Sequence, residues 1–108
     1  TEVPAHARTL YLSGCLGIAP DGTTPDSIEA QCELVMSNMN EKPKAAGMTM
    51  ANLVRMNAFI LKQEYVPPFG AVRTKWLNGA KPTMTTVVVS DLAAPGWLIE
   101  VDCIAAAV

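Results

Sequence analysis

The stretch "WLIEVDCIA", Trp97–Ala105, alternates between apolar and acidic side chains after its first residues. Its apolar positions are held by Ile99, Val101 and Cys103. Because successive side chains of a β-strand point to opposite faces of the sheet, this alternation predicts a strand with one buried face. Glu100 and Asp102 then share the other face, about 7 Å apart. They are either solvated or salt-bridged acids, with Arg55 as a candidate partner, or one of them positions a water molecule at a subunit contact.

Three further segments predict strands. "TLYLSG" (9–14) and "NLVRMNAFIL" (52–61) alternate in the same way. The third is the run at 84–91, which a turn joins to the strand at 97–105, so these two strands are expected to be neighbours in the sheet. The short run "CLGI" leaves room for one extra strand.

Two helices separate these strands. Asp26 and Glu29 predict a capping box at the start of the first helix, and Gly47 predicts its end. Its apolar stripe is formed by Ile28, Cys32, Val35 and Met39. Pro43 would interrupt its last turns. The second helix begins near Pro67 and ends at Asn78, and its stripe is formed by Phe69, Val72 and Trp76.

This order of elements predicts an α+β fold in which one sheet carries both helices on one face. The face under the helices is predicted to hold Leu10, Leu12, Val54, Met56, Ile60, Ile99 and Val101. The opposite face would hold Tyr11, Ser13, Arg55, Asn57, Glu100 and Asp102, together with Phe59 and Leu61. A face that mixes polar and large apolar groups favours contact with other subunits.

Composition narrows the class of protein. The 108 residues suit one domain, 1–108, and a hydrophobic content of 50% with 17% charged residues is typical of a packed globule. A net charge of −2 argues against binding to nucleic acid or to an anionic membrane, and no apolar run is long enough to span a bilayer. The three cysteines predict buried free thiols and a cytoplasmic location. No residue spacing predicts a metal site, and no cofactor is expected.

Several segments together resemble one family. "RTLYLSG", "KAAGMTMANLVRMNAFI", "KPTMTTVVVSDL" and "WLIEVDCIA" are similar, in order and in spacing, to the RidA/YjgF family of enamine and imine deaminases, whose older name is the L-PSP endoribonucleases. The resemblance implies a chorismate-mutase-like α+β fold. It also implies a homotrimer whose sheets line a central barrel, with a small-molecule cleft at each of three subunit contacts.

The resemblance also implies roles for particular residues. Glu100 matches the glutamate that holds the attacking water, Ser13 matches the serine of the family's Ser-Gly pair, and Gly14 matches the glycine that touches substrate. The backbone around Thr86 corresponds to another contact.

One position departs from the family pattern. In "KPTMTT", Met84 stands where the family carries an arginine that grips the substrate carboxylate, and Thr85 follows it. A thioether has neither charge nor donor, so this change predicts a loss of about 2–4 kcal/mol in carboxylate binding.

Three functions are compatible with the sequence. The first is enamine/imine deamination, with a substrate class altered by Met84. The second is a trimeric protein that binds a small molecule without turnover. The third is ribonuclease activity or translation inhibition, which the acidic balance disfavours because contacts to a phosphate backbone need Lys or Arg.

Overall fold

The alternating segments form one mixed four-stranded sheet, and both long helices pack against one of its faces. The computed structural model describes residues 1–108. Its elements are β1 (Arg8–Leu16), α1 (Ile28–Glu41), β2 (Leu53–Ile60), α2 (Val66–Leu77), β3 (Thr83–Val88) and β4 (Ile99–Ala107), with 3₁₀ turns at Lys42–Ala46, Met50–Asn52 and Gln63–Tyr65. The strand order is β1-β4-β2-β3, and only the β2–β3 pair is parallel. The expected α+β class is confirmed. None of the helices has both the length and the apolarity needed to cross a bilayer.

The last two strands are not neighbours, which corrects the expectation of a directly paired β3 and β4. β3 pairs with β2, and β2 separates it from β4. Two parallel strands need a long crossover between them, and α2 supplies it, so β2, α2 and β3 form one βαβ unit. β4 then takes the free edge of β2.

Two β-bulges change which side chains reach the core. On β1, Leu12 pairs with Cys103 and Cys15 pairs with Val101, so three residues of β1 span two of β4. The segment "CLGI" is therefore the continuation of β1 to Leu16 and not a separate strand. A second bulge lies at the start of β2, where Leu53 takes the buried position expected for Val54, which is only half-buried.

The start of α1 and the ends of both helices follow from local chemistry. The N-cap of α1 is Ser27, whose hydroxyl accepts a hydrogen bond from the Ala30 N–H at 3.1 Å, so the expected Asp26 capping box is wrong. α1 ends at Glu41, which places Pro43 in the first turn of a 3₁₀ segment where its missing N–H costs little. Gly47 closes that segment with φ of 73°, and Asn78 closes α2 in the same left-handed region.

The core lies between the helices and the inner face of the sheet. Most of the expected inner-face residues are buried, namely Leu12, Met56, Ile60, Ile99 and Val101, and the apolar stripe of α1 is buried in full. Gln31 is the one fully buried polar side chain. Its amide donates to the carbonyls of Pro25 and Gly96, both at 2.8 Å, and its Oε1 accepts from the Leu98 N–H at 2.9 Å. Gln31 thus ties α1 to the loop that leads into β4.

Candidate functional site

A chain of polar contacts crosses the outer face of the sheet, the face that carries no helix. Asn57 donates to the Asp102 carboxylate at 2.9 Å, and the Arg55 guanidinium donates to the Asn57 side-chain oxygen at 3.0 Å and to the Thr85 hydroxyl at 2.6 Å. Arg55 therefore reaches Asp102 only through Asn57. The three ion pairs of the chain join other residues, all of them lysines and glutamates. Asp102 and Thr85 are thus held in a cross-strand network.

Glu100 lies at the end of this face, against the bulge of β1. It faces Leu16 on β1 and Phe59 on β2, and its side chain is half-buried. A Cβ atom added to Gly14 would lie 2.7 Å from its Oε1, so the carboxylate rests directly over the glycine. Ser13 is exposed beside it. β1 and β4 therefore bring Glu100, Ser13 and Gly14 together, and the Glu100 carboxylate has no ion-pair partner.

A small pocket adjoins the same glycine. It has a volume of about 330 Å³ and is lined by Gly14, Leu16, Ile18, Asn38, Glu41 and Lys42. The Lys42 ammonium donates to the Ser13 carbonyl at 3.4 Å, which fixes the backbone at the bulge from the side of α1. The pocket thus lies between β1 and α1 and is bordered by one cation, Lys42, and one acid, Glu41, whereas Glu100 does not line it.

The residues of β3 divide between the two faces. Met84 and Thr86 pair in register with the buried Met56 and Ala58, so they lie on the helix side of the sheet, whereas Thr85 lies on the outer face. Met84 is accordingly on the face opposite Glu100, with β2 between their strands. A single chain does not gather the six expected residues into one cleft. Their joint role stays a prediction that needs a second chain.

Met84 borders a larger pocket between α2 and β3. This pocket has a volume of about 510 Å³, and two of its lining side chains are the cations Arg73 and Lys81. Arg73 directs Nη1 at the Met84 sulfur, 3.3 Å away, and its guanidinium carbon lies 5.6 Å from the centre of the Phe69 ring. Neither cation belongs to a motif in the sequence. The available signal was spacing, because Arg73 follows Phe69 by four residues and so shares the face of α2 that meets the core.

The three cysteines are free and buried, as predicted. Burial raises the pKa of Cys32 to about 12 and that of Cys103 to about 12. Burial also raises the pKa of Cys15, although the Lys42 ammonium, 3.5 Å from its sulfur, acts in the opposite direction. Neutral thiols are poor nucleophiles, so the geometry gives them no catalytic role. No group of three or more His, Cys, Asp or Glu side chains lies close enough to hold a metal ion.

Comparisons with known proteins agree with this fold. Residues 2–107 match the family model described as Endoribonuclease L-PSP. Protein mmf2, mitochondrial, from Schizosaccharomyces pombe is 28% identical over 99 residues, which cover 90% of this chain and 79% of that protein. Reactive Intermediate Deaminase A, chloroplastic, from Arabidopsis thaliana is 29% identical over 98 residues, which cover 89% of this chain and 52% of that protein.

Solved structures extend the agreement to the backbone. The structure of YyfB from Yersinia pestis, described as a member of the conserved Rid protein family, superposes with a TM-score of 0.83 at 27% identity and covers 91% of this chain and 77% of that one. The family model spans nearly the entire chain, and the sheet and helices of such structures recur here. The chain therefore belongs to the Endoribonuclease L-PSP family, also known as the RidA/YjgF family.

Proposed function

We propose that this protein is an enamine/imine deaminase-like hydrolase, which converts a reactive imine and water into a carbonyl compound and ammonia. The observation that carries the proposal is the Glu100 carboxylate, which lies half-buried over Gly14 without an ion-pair partner. The name of the Arabidopsis relative, Reactive Intermediate Deaminase A, supports the same reaction class. At 29% identity it supports the class and not a particular substrate.

The proposed mechanism uses Glu100 as a general base and then as a general acid. An enamine first gains a proton on carbon and loses one from nitrogen, and so becomes the imine. Glu100 accepts a proton from a water molecule while the water oxygen adds to the imine carbon, and it returns that proton to the nitrogen. The hydroxyl proton of the resulting carbinolamine then passes through Glu100 to the amino group, the C–N bond breaks as the carbonyl forms, and ammonia leaves. A positioned acid–base group of this kind contributes about 10²–10⁴-fold to the rate. Ser13 and Gly14 would contact the substrate beside Glu100.

We propose further that the complete cleft forms between subunits of a homotrimer. Support comes from the outer face of the sheet, which carries no helix and exposes Tyr11 (75%) and Val87 (39%). Exposed apolar groups on an uncovered face are typical of a protein contact. A second chain could bring its own Met84 and Thr86 towards the Glu100 of the first. Light scattering should give three times the 11.5 kDa chain mass. A measured mass equal to that of one chain would contradict the proposed cleft between subunits.

The test is ammonia release from 2-aminoacrylate generated in situ, measured above the spontaneous rate. Glu100→Gln keeps the size of the side chain but cannot accept the proton, so the catalysed rate should fall at least about 100-fold. Asp102→Asn is the matched control on the same strand face. Its Oδ1 can still accept the hydrogen bond from Asn57, so it should stay within a few-fold of the unmodified protein. Equal losses in both variants would contradict a specific role for Glu100.

A binding protein without turnover is the second candidate. One observation favours it: in each chain, the cationic pocket that Met84 borders lies on the opposite face of the sheet from Glu100. A ligand in that pocket would therefore not contact the Glu100 of the same chain. Absence of any catalysed ammonia release, together with measurable ligand binding, would establish this alternative. Ribonuclease activity has less support, because a net charge of −2 provides little attraction for a phosphate backbone.

A further inference from the structure

Ser13 and Gly14 form the bulge of β1, and they are the two residues of that strand without a paired residue on β4. A bulge interrupts the ladder of hydrogen bonds, so its backbone depends on other contacts for a fixed conformation. That conformation matters here because the Glu100 carboxylate rests over Gly14, where a Cβ would lie 2.7 Å from its Oε1. The group that holds the bulge therefore also sets the position of this carboxylate.

The Ser13 carbonyl receives its support from the side of α1. Its oxygen accepts a hydrogen bond from the Lys42 ammonium at 3.4 Å, and it lies 3.8 Å from the Cys15 sulfur, whose S–H is a weak donor. The same ammonium lies 3.5 Å from that sulfur, so the three groups form a triangle. Cys15 is buried, which ties one corner of the triangle to the core. Lys42 thus reaches from the end of α1 to the stretch of β1 that the sheet does not hold.

The charge of Lys42 is not neutralised by an acid. No ion pair of the chain includes it, and the neighbouring acid, Glu41, is paired with Lys44 at 2.8 Å. Burial raises the pKa of Cys103, and the Lys42 ammonium acts against that rise, so its charge is felt on β4 as well as on β1. A hydrogen bond from a charged donor is stronger than one between neutral groups. Lys42 is otherwise exposed, so its replacement disturbs little besides this contact.

We propose that Lys42 is a positioning residue, which holds the Ser13 carbonyl and thereby keeps Gly14 beneath the Glu100 carboxylate. Lys42 approaches the bulge from α1, whereas Glu100 lies on the outer face of the sheet, so Lys42 acts through the backbone and not by contact with the carboxylate. Without the ammonium, the carbonyl keeps only a weak thiol donor, and the bulge is free to shift. The inference rests on the proposed function for its effect on turnover, but not for its effect on the position of Glu100.

The first measurement is structural and needs no substrate. Lys42→Met removes the charge and the donor, and in NMR spectra of the whole protein it should shift the backbone amide signal of Gly14 and the carboxyl signal of Glu100. The matched control is Lys44→Met, which removes an exposed lysine paired with Glu41 and should leave both signals unchanged. Lys42→Arg keeps the charge and the donors, so it should shift them less than Lys42→Met.

The second measurement is the catalysed release of ammonia from 2-aminoacrylate. Lys42→Met should lower kcat roughly 10-fold and leave KM within a few-fold, and Lys42→Arg should restore most of the rate. The urea midpoints should stay close to that of the unmodified protein, because these side chains are exposed. In a Gly14→Ala background, where the Glu100 carboxylate is already displaced, Lys42→Met should cost less than about two-fold. A general loss of stability would not give this dependence on the background.

Three results would overturn the inference. They are signals of Gly14 and Glu100 that respond to Lys42→Met no more than to Lys44→Met, a rate of ammonia release that Lys42→Met leaves unchanged, or an equal loss of rate with and without Gly14→Ala. Lys42→Gln, which has a shorter and neutral donor, takes the place of Lys42→Met if that variant does not fold. The proposed function fails separately, because shifted signals in a protein that releases no ammonia would refute the deaminase but keep Lys42 as the residue that positions Glu100.

Discussion

Gln31 is the residue at which loss of hydrogen bonds should be felt most, because its side chain is fully buried and forms three of them. Replacement by leucine, Gln31→Leu, keeps the side chain large but leaves the carbonyls of Pro25 and Gly96 and the N–H of Leu98 without their partner. Gly96 is exposed, so water can replace its lost bond, whereas Pro25 and Leu98 are half-buried. Each buried group left unsatisfied costs about 1–3 kcal/mol. We expect a loss of about 2–4 kcal/mol in the free energy of unfolding.

The assay is urea unfolding followed by circular dichroism, at one protein concentration for all variants. In a domain of this size, the expected loss corresponds to a fall in melting temperature of about 10–25 °C. Gln63→Leu is the matched control, because Gln63 is exposed in a 3₁₀ turn, and it should stay within about 0.5 kcal/mol of the unmodified protein. If Gln31→Leu were as stable as this control, the reasoning from buried hydrogen bonds would be wrong. The proposed deaminase activity should fall together with the stability, since Leu98 leads directly into the strand that carries Glu100.

Two other predictions concern the site and the thiols. Gly14→Ala should lower the catalysed rate much more than the free energy of unfolding. Its Cβ would stand 2.7 Å from Oε1 of Glu100, which is the mobile end of that side chain and can move aside, away from its proposed catalytic position. Comparison of turnover with urea midpoints checks this. The raised pKa values of Cys32 and Cys103, both to about 12, mean that the folded state keeps these protons where unfolded thiols lose them. Their contribution to stability is complete below about pH 8.5 and is lost as pH rises towards 12. The urea midpoint should therefore fall over that range, and it should fall less in Cys32→Ala and in Cys103→Ala. At pH 8, a thiol reagent should label the native protein far more slowly than the unfolded one.

Period-two alternation predicted the faces of the sheet better than it predicted the pairing of strands. The inward positions Met56, Ile99 and Val101 follow from the alternation and are buried. The order of the strands does not follow from it, because β3 pairs with the strand that precedes α2 and not with the strand that follows in sequence. Alternation within a strand reports one buried face and carries no information about which strand lies beside it.

The candidate site was predictable where it depends on a matched motif and unpredictable where it depends on packing. The family resemblance indicated Glu100, and the structure places its carboxylate over Gly14. Arg73 carries no motif and is brought to Met84 only because α2 packs over β3. A contact between a helix and a strand eleven residues apart depends on the crossover, which the local sequence pattern does not specify.

The bulge in β1 shows how the fold and the candidate site make opposite demands on the same segment. The core needs Leu12 and Cys15 on one side, three positions apart, which a regular strand cannot provide because its faces alternate. One extra residue resolves this conflict, since Ser13 and Gly14 then both project away from the core, next to Glu100. Glycine at the second of these positions lets the carboxylate keep its place, because a Cβ there would displace its mobile end. The same irregularity that concealed the full length of β1 in the sequence thus leaves Gly14, without a side chain, beside the Glu100 carboxylate, where the proposed mechanism needs room for a water molecule and a substrate.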